Sequence, residues 1–233
     1  MRASDRFLAR WEVADVDGAV VVIDVIRAFT TAAYAFGAGA AEILLVGTVD
    51  EALAFKAATP GCIAMGEDRG RRPVGFDLSN SPVGASIADL DGRTIVQRTS
   101  AGTQGVVAAR SATRMWTASL VCASATAAAL NSSGLGAPTY VITGRFPDRP
   151  DDSGEEDVLA ASFIERIRCG EPVDPVATAD AARDTDDARH TLLLGPEHVH
   201  PDDIDYCVCV DRFDFAMEVE RTARGLRLVR RDP

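Results

Sequence analysis

Apolar and polar positions along the chain predict strands that alternate with helices. The Val-rich run from Ala19 to Ile23 is apolar at every position, which is typical of a buried strand in a parallel sheet. The small residues from Ala28 to Ala38 favour a helix, and Glu42 to Val46 is the next predicted strand. A second helix should begin at Thr48, because Glu51 completes a capping-box pattern three residues later.

Two stretches interrupt this alternation. Gly66 to Pro82 and Phe146 to Gly154 are rich in turn-forming and charged residues and have no apolar period, so both are predicted as loops. The chain should end in a hairpin from Phe215 to Val229 that turns at Arg224-Gly225. The remaining predicted strands are 62–65, 94–99, 114–118, 139–143 and 206–210, and the remaining predicted helices are 83–88, 104–110, 123–130, 155–168 and 172–189.

This order of elements predicts a single α/β domain over residues 1–233, with three α/β/α layers and a mostly parallel or mixed central sheet. In such sheets, ligands bind beyond the carboxyl ends of the strands. The rule selects the segments that begin at Asp24, Gly66, Ser100, Ser119 and Gly144 as places where a site should form.

Composition and charge narrow the classes of function. The chain has 233 residues, of which 47% are hydrophobic, and a formal net charge of −11. Such a charge repels phosphate backbones and anionic lipids, so we predict no nucleic-acid and no membrane partner. We expect a cytoplasmic protein, since the apolar runs are too short to span a bilayer and the N-terminal region lacks a signal-peptide pattern. Five cysteines without a CxxC pair indicate reduced thiols rather than a zinc site or disulfides.

The segment from Asp24 to Thr31 is the first with candidate chemistry. Asp24 ends a predicted strand and can hold a divalent cation through oxygen, and Arg27 can bind a phosphate or sulfonate with two donors. Thr30 adds a hydroxyl near the start of the next helix, where free N–H groups favour anions. The same residues would also serve as plain helix caps, so the segment alone leaves both interpretations open.

The loop from Gly66 to Pro82 mixes acids, arginines, hydroxyls and an amide. Glu67 and Arg69 offer metal ligation and anion binding, and Asn80 and Ser81 offer hydrogen bonds to a substrate. Ser81 followed by proline equally suits the start of a helix. The density of polar groups favours a functional loop.

Two further segments add to the inventory. In the turn from Thr99 to Gly105, Ser100, Gly102 and Thr103 can surround an oxyanion with N–H and hydroxyl donors, although neither a Walker loop nor a GxGxxG pattern is present. Glu156 and Asp157 open a predicted helix. The helix dipole alone favours acids there, and a metal ligand or a general base is the alternative.

Taken in order, these segments resemble the 2-phosphosulfolactate phosphatase (ComB-like) family. The family pattern D-V-L-R-A-T-T-T is matched by Asp24 to Thr31 with Phe29 substituted, and G-F-D-x-G-N-S-P is matched by Gly75 to Pro82. Four further patterns are matched in part. G-E-R-G is matched at Gly66-Glu67, and T-T-N-G-T at Thr99, Ser100, Gly102 and Thr103. S-L-x-N-A-S-A is matched at Ser119, Leu120 and Ala123 to Ala125, and E-D-x-x-C-A-G at Glu156, Asp157 and Ala161. The resemblance spans nearly the whole chain.

The resemblance implies a hydrolase that uses Mg²⁺ and removes phosphate from a small anionic phosphoester such as 2-phosphosulfolactate. It leaves a homodimer as an open question. Metal binding is then expected of Asp24, Glu67 and Glu156. Catalytic roles are expected of Asp24, Arg27, Glu67, Arg69 and Asp157, and substrate binding of Thr30, Asn80, Ser81, Ser100, Gly102 and Thr103.

Four positions depart from the family pattern, and each change removes a polar or reactive group. Asp68 stands in place of an arginine, Ala101 and Cys122 in place of asparagines, and Ala160 in place of a cysteine. Arg69, next to Asp68, can supply the missing guanidinium. These changes motivate an alternative hypothesis, a family member that binds an anionic metabolite without turning it over. A plain structural or interaction domain is a third interpretation.

Overall fold

The structure is a computed structural model that describes residues 6–232 and, within them, all side chains except those of residues 149–152. The strands in this range are β1 Phe7–Ala9, β2 Ala19–Ile23, β3 Glu42–Leu45, β4 Ile63–Gly66, β5 Thr94–Arg98, β6 Arg114–Ala118, β7 Thr139–Ile142, β8 Arg145–Phe146, β9 Arg149–Ser153, β10 Ala216–Thr222 and β11 Gly225–Arg231. The helices are α1 Ala28–Gly37, α2 Val49–Ala58, α3 Pro82–Ile87, α4 Gly102–Ala108, α5 Ala123–Ser132, α6 Glu155–Arg168, α7 Pro175–Arg183, α8 Asp186–Leu192 and α9 Asp203–Cys207.

Nine of the strands in residues 6–232 form one mixed sheet in the order β1-β7-β2-β6-β10-β11-β3-β5-β4. Strands β1, β7, β2 and β6 are parallel to each other, and so are β3, β5 and β4. The antiparallel hairpin β10–β11 joins the two parallel groups. Together with the helices, this sheet confirms the predicted α/β/α class with a mixed central sheet. The predicted single domain of residues 1–233 extends past the described range at both ends and stays a prediction.

The core follows from the apolar runs. All five residues of β2 are buried, as expected for a strand covered on both faces. Helices α1 and α3 pack on one another, and α5, α6 and α7 form a second packed group. A smaller cluster beneath α2 joins Leu44, Ala52 and Phe76. The predicted capping box at the start of α2 is present, with Thr48 accepting from the N–H of Glu51.

The sheet curls strongly, and this curl positions the site. Three antiparallel pairings separate β2 from β5, so in a flat sheet their carboxyl ends would lie at opposite edges. Instead, Gln97 on β5 donates from Nε2 to the carbonyl of Ala28 at 2.9 Å. The first residue of α4, Gly102, lies so close to α1 that an added Cβ would stand 2.7 Å from the Cβ of Ala28. The loops after β2 and β5 therefore meet.

Three sequence predictions were wrong in detail. Tyr206 to Val210, predicted as a strand, begins in the short helix α9, which ends at Cys207, and continues as a turn, because the buried residues Ile204, Cys207 and Val208 follow a helical spacing. The predicted loop from Phe146 to Gly154 contains the small hairpin β8–β9, and the predicted helix from 172 to 189 is split into α7 and α8. Strand β1 was not predicted.

The C-terminal arginines lie on the central hairpin rather than on a free end. Arg224 pairs with Glu42 at 2.7 Å, and Arg231 pairs with Glu218 at 2.9 Å.

All five cysteines are free thiols, and three of them are buried. No helix within residues 6–232 has the length and apolar character that crossing a membrane requires.

Candidate active site

The loops after β2, β4, β5 and β7 surround a cleft of about 520 Å³, a size that suits a small metabolite. The first turn of α6 and part of α8 complete its walls. Polar and charged side chains dominate the lining. The lining residues are Asp24, Ile26, Arg27, Glu67, Arg69, Gly70, Asn80, Ser100, Ala101, Thr143, Gly144, Phe146, Asp148, Glu156, Asp157, Asp187, His190, Thr191 and Leu194.

Asp24 is the acid that ends β2. Its Oδ1 accepts the N–H of Ala28 at 2.8 Å, and its Oδ2 accepts the hydroxyl of Thr143 at 3.3 Å. Burial, with a smaller contribution from the Glu67 carboxylate, raises the pKa of Asp24 to about 7, although the Ala28 N–H opposes the rise. Such a carboxyl can gain or lose a proton near neutral pH.

Asp157, in the first turn of α6, fixes the ends of β2 and β7. Its Oδ1 accepts the N–H of Val25 at 2.9 Å, and its Oδ2 accepts those of Thr143 at 3.0 Å and Gly144 at 2.9 Å. Burial and the Asp24 carboxylate raise the pKa of Asp157, and the donors from Val25 and Gly144 oppose this. The carboxylate thus holds the two loops that surround Asp24.

Glu156, the neighbour of Asp157, is 3% exposed. Within the described part of the chain its Oε2 has no hydrogen-bond partner. Burial and the carboxylates of Asp157 and Asp187 raise the pKa of Glu156 well above its usual range. Buried carboxylate oxygens are normally paired, so this oxygen points to a ligand that binds in the cleft.

Glu67 joins the loop after β4 to the loop after β5. Its Oε2 accepts the N–H of Gly70 at 2.6 Å and the hydroxyl of Ser100 at 3.1 Å, while its Oε1 accepts the N–H of Ser100. The N–H of Arg69 donates to the same hydroxyl at 2.8 Å. Arg69 has a φ of 51°, a left-handed conformation uncommon outside glycine, and its side chain lines the cleft.

Arg27 and Asn80 line another part of the cleft. Arg27 is 4% exposed and donates from Nη1 to Asp203 Oδ2 at 2.7 Å and to the carbonyl of His198 at 3.1 Å. Asn80 is 5% exposed, and in residues 6–232 its Oδ1 has no hydrogen-bond partner. Both side chains can therefore present polar atoms to a ligand.

Four of the residues predicted to bind substrate lie outside the cleft lining. Thr30 donates to the carbonyl of Val25 at 2.7 Å, and Thr103 donates to that of Thr99 at 2.9 Å. Ser81 caps α3 by accepting from Gly84, and Gly102 supplies the close approach to Asp24. Their positions support the walls of the cleft. The other predicted site residues, Asp24, Arg27, Glu67, Arg69, Asn80, Ser100, Glu156 and Asp157, line it together.

Comparisons with known proteins identify the family of this chain. The sequence pattern of one family, described as 2-phosphosulpholactate phosphatase, matches residues 8–222. This chain belongs to that family. A probable 2-phosphosulfolactate phosphatase of Bacillus subtilis is 32% identical over 86% of each chain. Another from Thermoplasma acidophilum is 30% identical over 85% of this chain and 84% of its own. The predicted family, a family of phosphoric monoester hydrolases, is thereby confirmed.

Three of the four departures from the pattern of the 2-phosphosulpholactate phosphatase family lie outside the cleft lining. Cys122 and Ala160 are fully buried in the core. Asp68 points to the surface, where it pairs with Arg98 at 2.8 Å, while its neighbour Arg69 lines the cleft. Ala101 lines the cleft itself. Only this last substitution removes a side-chain amide from the wall of the site.

The sequence analysis missed several polar residues around the cleft. Thr143 joins Asp24 and Asp157 through its hydroxyl, at 3.3 Å from each carboxylate. Asp187 and His190 on α8 also line the cleft, and Asp203 pairs with Arg27. Only Thr143 carried a usable signal, because it stands at the end of a predicted strand.

The donor chemistry of the cleft fits Mg²⁺. Mg²⁺ prefers oxygen ligands, keeps several waters and uses one or two carboxylates together with substrate phosphates. Asp24, Glu67, Glu156 and Asp157 offer only oxygen, and the Oε2 of Glu156 is unpartnered. Within residues 6–232, no three Asp, Glu, His or Cys side chains already surround one point. The fit is therefore to a cation held by few carboxylates and by water.

Proposed function

We propose that this chain is a phosphatase that uses Mg²⁺ to hydrolyse a small anionic phosphoester such as 2-phosphosulfolactate, which yields sulfolactate and phosphate. One observation carries the proposal: six carboxylates and two arginines line the same cleft beyond the carboxyl ends of four strands. Acids and guanidiniums are the groups that hydrolysis of a phosphate monoester needs, because charge on the phosphoryl group must be neutralised and a water must be oriented.

The arginines supply the binding of the anion. Arg27 is nearly buried, where a guanidinium binds phosphate more strongly than it does in water. Arg69 is exposed and stands on the loop after β4, so it suits a second anionic group, a sulfonate or a carboxylate, on the same substrate. Asn80 offers an amide in the same cleft.

The carboxylates supply proton transfer and metal binding. Asp24, Glu67 and Glu156 would hold Mg²⁺, which neutralises charge on the phosphoryl group. A cleft carboxylate that does not bind the cation can take a proton from the attacking water. The P–O bond to the alcohol then breaks, and the alcohol oxygen takes up that proton from the carboxyl group. Asp157 keeps the loops around Asp24 in place through three backbone N–H groups.

The test is release of phosphate from a panel of phosphoesters, with 2-phosphosulfolactate included, in the presence of Mg²⁺ and of a chelator. We expect turnover with Mg²⁺ that Arg27→Ala and Glu67→Ala both abolish, which also excludes a contaminating phosphatase. Background rates for wild type on every ester overturn the proposal. If the esters raise the melting temperature without phosphate release, the protein is a binding member of its family.

The cytoplasmic location and the homodimer stay predictions. The acidic net charge of −11 agrees with a protein whose partners are small molecules rather than nucleic acid. Size-exclusion chromatography coupled to light scattering measures the oligomeric state directly.

A further inference from the structure

One buried acid outside the cleft lining has more polar contacts than a helix terminus requires. Asp203, the first residue of α9, is fully buried. Its Oδ1 accepts the hydroxyl of Ser81 at 2.6 Å and the N–H of Val83 at 3.3 Å. Its Oδ2 accepts Arg27 Nη1 at 2.7 Å and the N–H of His200 at 3.0 Å.

The contact with Arg27 determines which edge of the guanidinium is available. In the described part of the chain, the guanidinium of Arg27 donates hydrogen bonds only from Nη1, to Asp203 Oδ2 and to the carbonyl of His198. The Nε and Nη2 groups of this cleft residue have no protein partner there. Two adjacent N–H donors on one edge are the arrangement with which arginine binds a phosphate or carboxylate.

Asp203 is also connected to the segment that contains Asn80. Ser81, which donates to Asp203, directly follows Asn80, whose side chain lines the cleft. One carboxylate thus connects the residue before α3, the loop after β2 and the start of α9.

We propose that Asp203 is a positioning residue, which holds Arg27 so that its free edge faces the anion in the cleft. The inference rests on the proposed phosphatase function for the identity of the anion. Inorganic phosphate, the product of that reaction, is a probe whose binding can be measured without turnover.

The experiment compares Asp203→Asn with a matched variant, Glu165→Gln. Glu165 is another nearly buried acid paired with arginines, and neither it nor its partners line the cleft. Isothermal titration with phosphate and steady-state kinetics are measured for both. We expect Asp203→Asn to weaken phosphate binding and raise KM by about tenfold or more, with a smaller change in kcat. Glu165→Gln should lower the melting temperature and leave both values at the wild-type level.

A double-mutant comparison separates positioning from a general loss of packing. In an Arg27→Ala background, Asp203→Asn should cause no further change in phosphate affinity, because its effect passes through Arg27. Wild-type phosphate affinity and KM in Asp203→Asn overturn the proposal, and so do additive effects of the two changes.

The remaining outcomes are also decisive. If Asp203→Asn fails to fold, Ser81→Ala serves instead, because it removes one donor to Asp203 and leaves the ion pair with Arg27. Ser81→Ala should weaken phosphate binding about threefold. Unchanged phosphate affinity overturns the proposal. If wild type binds phosphate in a way that depends on Asp203 but hydrolyses no ester, the phosphatase function fails and the positioning role stands. If wild type does not bind phosphate, the positioning role fails as well.

Discussion

Two groups of buried carboxylates in this molecule have opposite electrostatic surroundings. Glu165, on α6, accepts hydrogen bonds from Arg6 at 2.5 Å, Arg168 at 2.7 Å and Tyr140 at 3.0 Å. Burial alone would raise its pKa, but the donors from Arg168 and Arg6 outweigh burial and lower it to about 2. In the cleft, burial raises the pKa values of Asp24, Glu156 and Asp157, and the charged neighbours that add to this rise are other carboxylates.

The difference shows which acids stabilise the fold and which are available for chemistry. Where arginines pair with a carboxylate, they neutralise its charge within the protein and stabilise its ionised form. Acids crowded together in a cleft are destabilised when ionised, and a bound cation would relieve that cost. Helix α6 contains both kinds, with Glu156 and Asp157 in its first turn and Glu165 near its end.

The largest effect should come from Asp24→Asn. The amide keeps the size of the side chain but can neither bind a cation strongly nor exchange a proton, so kcat should fall by about a thousandfold. Phosphate release with Mg²⁺ measures this. Asp17→Asn is the matched control, because Asp17 is an acid just before the other end of β2 and has no contact with the cleft. Near-wild-type turnover in Asp24→Asn would remove Asp24 from the proposed mechanism.

Asp24→Asn should lower activity but raise the stability of the fold, and the pH dependence of stability shows why. In the absence of divalent cations, native Asp24 keeps its proton up to about pH 7, whereas the unfolded chain loses it near pH 4. The native state therefore binds more protons between these values, and stability falls as pH rises through this window and levels off above it. Asp24→Asn should lack this fall and be more stable than wild type at pH 8 by roughly 2–4 kcal/mol.

Urea unfolding of both proteins at pH 5 and pH 8 with a chelator measures this difference. If Asp24→Asn is equally destabilised at both pH values, the carboxyl is not strained by ionisation in the native state. Added Mg²⁺ should stabilise wild type at pH 8 and have little effect on Asp24→Asn.

The opposite result is expected for the paired acid. Glu165→Gln leaves Arg6 and Arg168 with a neutral partner and should lower the free energy of unfolding by about 3 kcal/mol at pH 7. The stabilisation by ionised Glu165 is present above the ordinary Glu pKa and is lost as pH falls toward 2. The variant and wild type should therefore converge in stability at acid pH, as measured by denaturant titration. A constant difference at all pH values would assign the effect to packing instead.

Close approach of the backbone in the cleft can be tested with Gly102→Ala. A Cβ there would stand 2.7 Å from the Cβ of Ala28 and 2.8 Å from Asp24 Oδ2, so the start of α4 must shift. We expect a loss of about 1–2 kcal/mol in stability together with lower turnover. Gly84→Ala on α3 is the control, because its Cβ would meet only an ordinary contact at 3.4 Å, and it should not lose stability. Equal effects of the two substitutions would contradict the role of close packing at Asp24.

The sequence predicts four of the six acids that line the cleft, because Asp24 and Glu67 follow apolar strands and Glu156 and Asp157 open a helix. It cannot predict the curl of the sheet, which depends on where the hairpin β10–β11 inserts and so on pairings distant along the chain. Asp203 was missed for a different reason. It lies among Asp202 and Asp205, which are exposed, and only the tertiary contact with Arg27 distinguishes it from them.

The smallest effect should come from Asp68→Arg, which restores the residue of the family pattern. The Asp68 side chain is 52% exposed and its pair with Arg98 is a surface ion pair, so its loss should change stability by less than about 1 kcal/mol. Arg69 already supplies a guanidinium to the cleft, so turnover should change by less than about threefold. Kinetics of Asp68→Arg in wild-type and Arg69→Ala backgrounds decide this. A large gain in turnover in the wild-type background would show that Arg69 does not replace the family arginine. If Asp68→Arg instead restores turnover only in the Arg69→Ala background, either of the two neighbouring positions can supply the same positive charge.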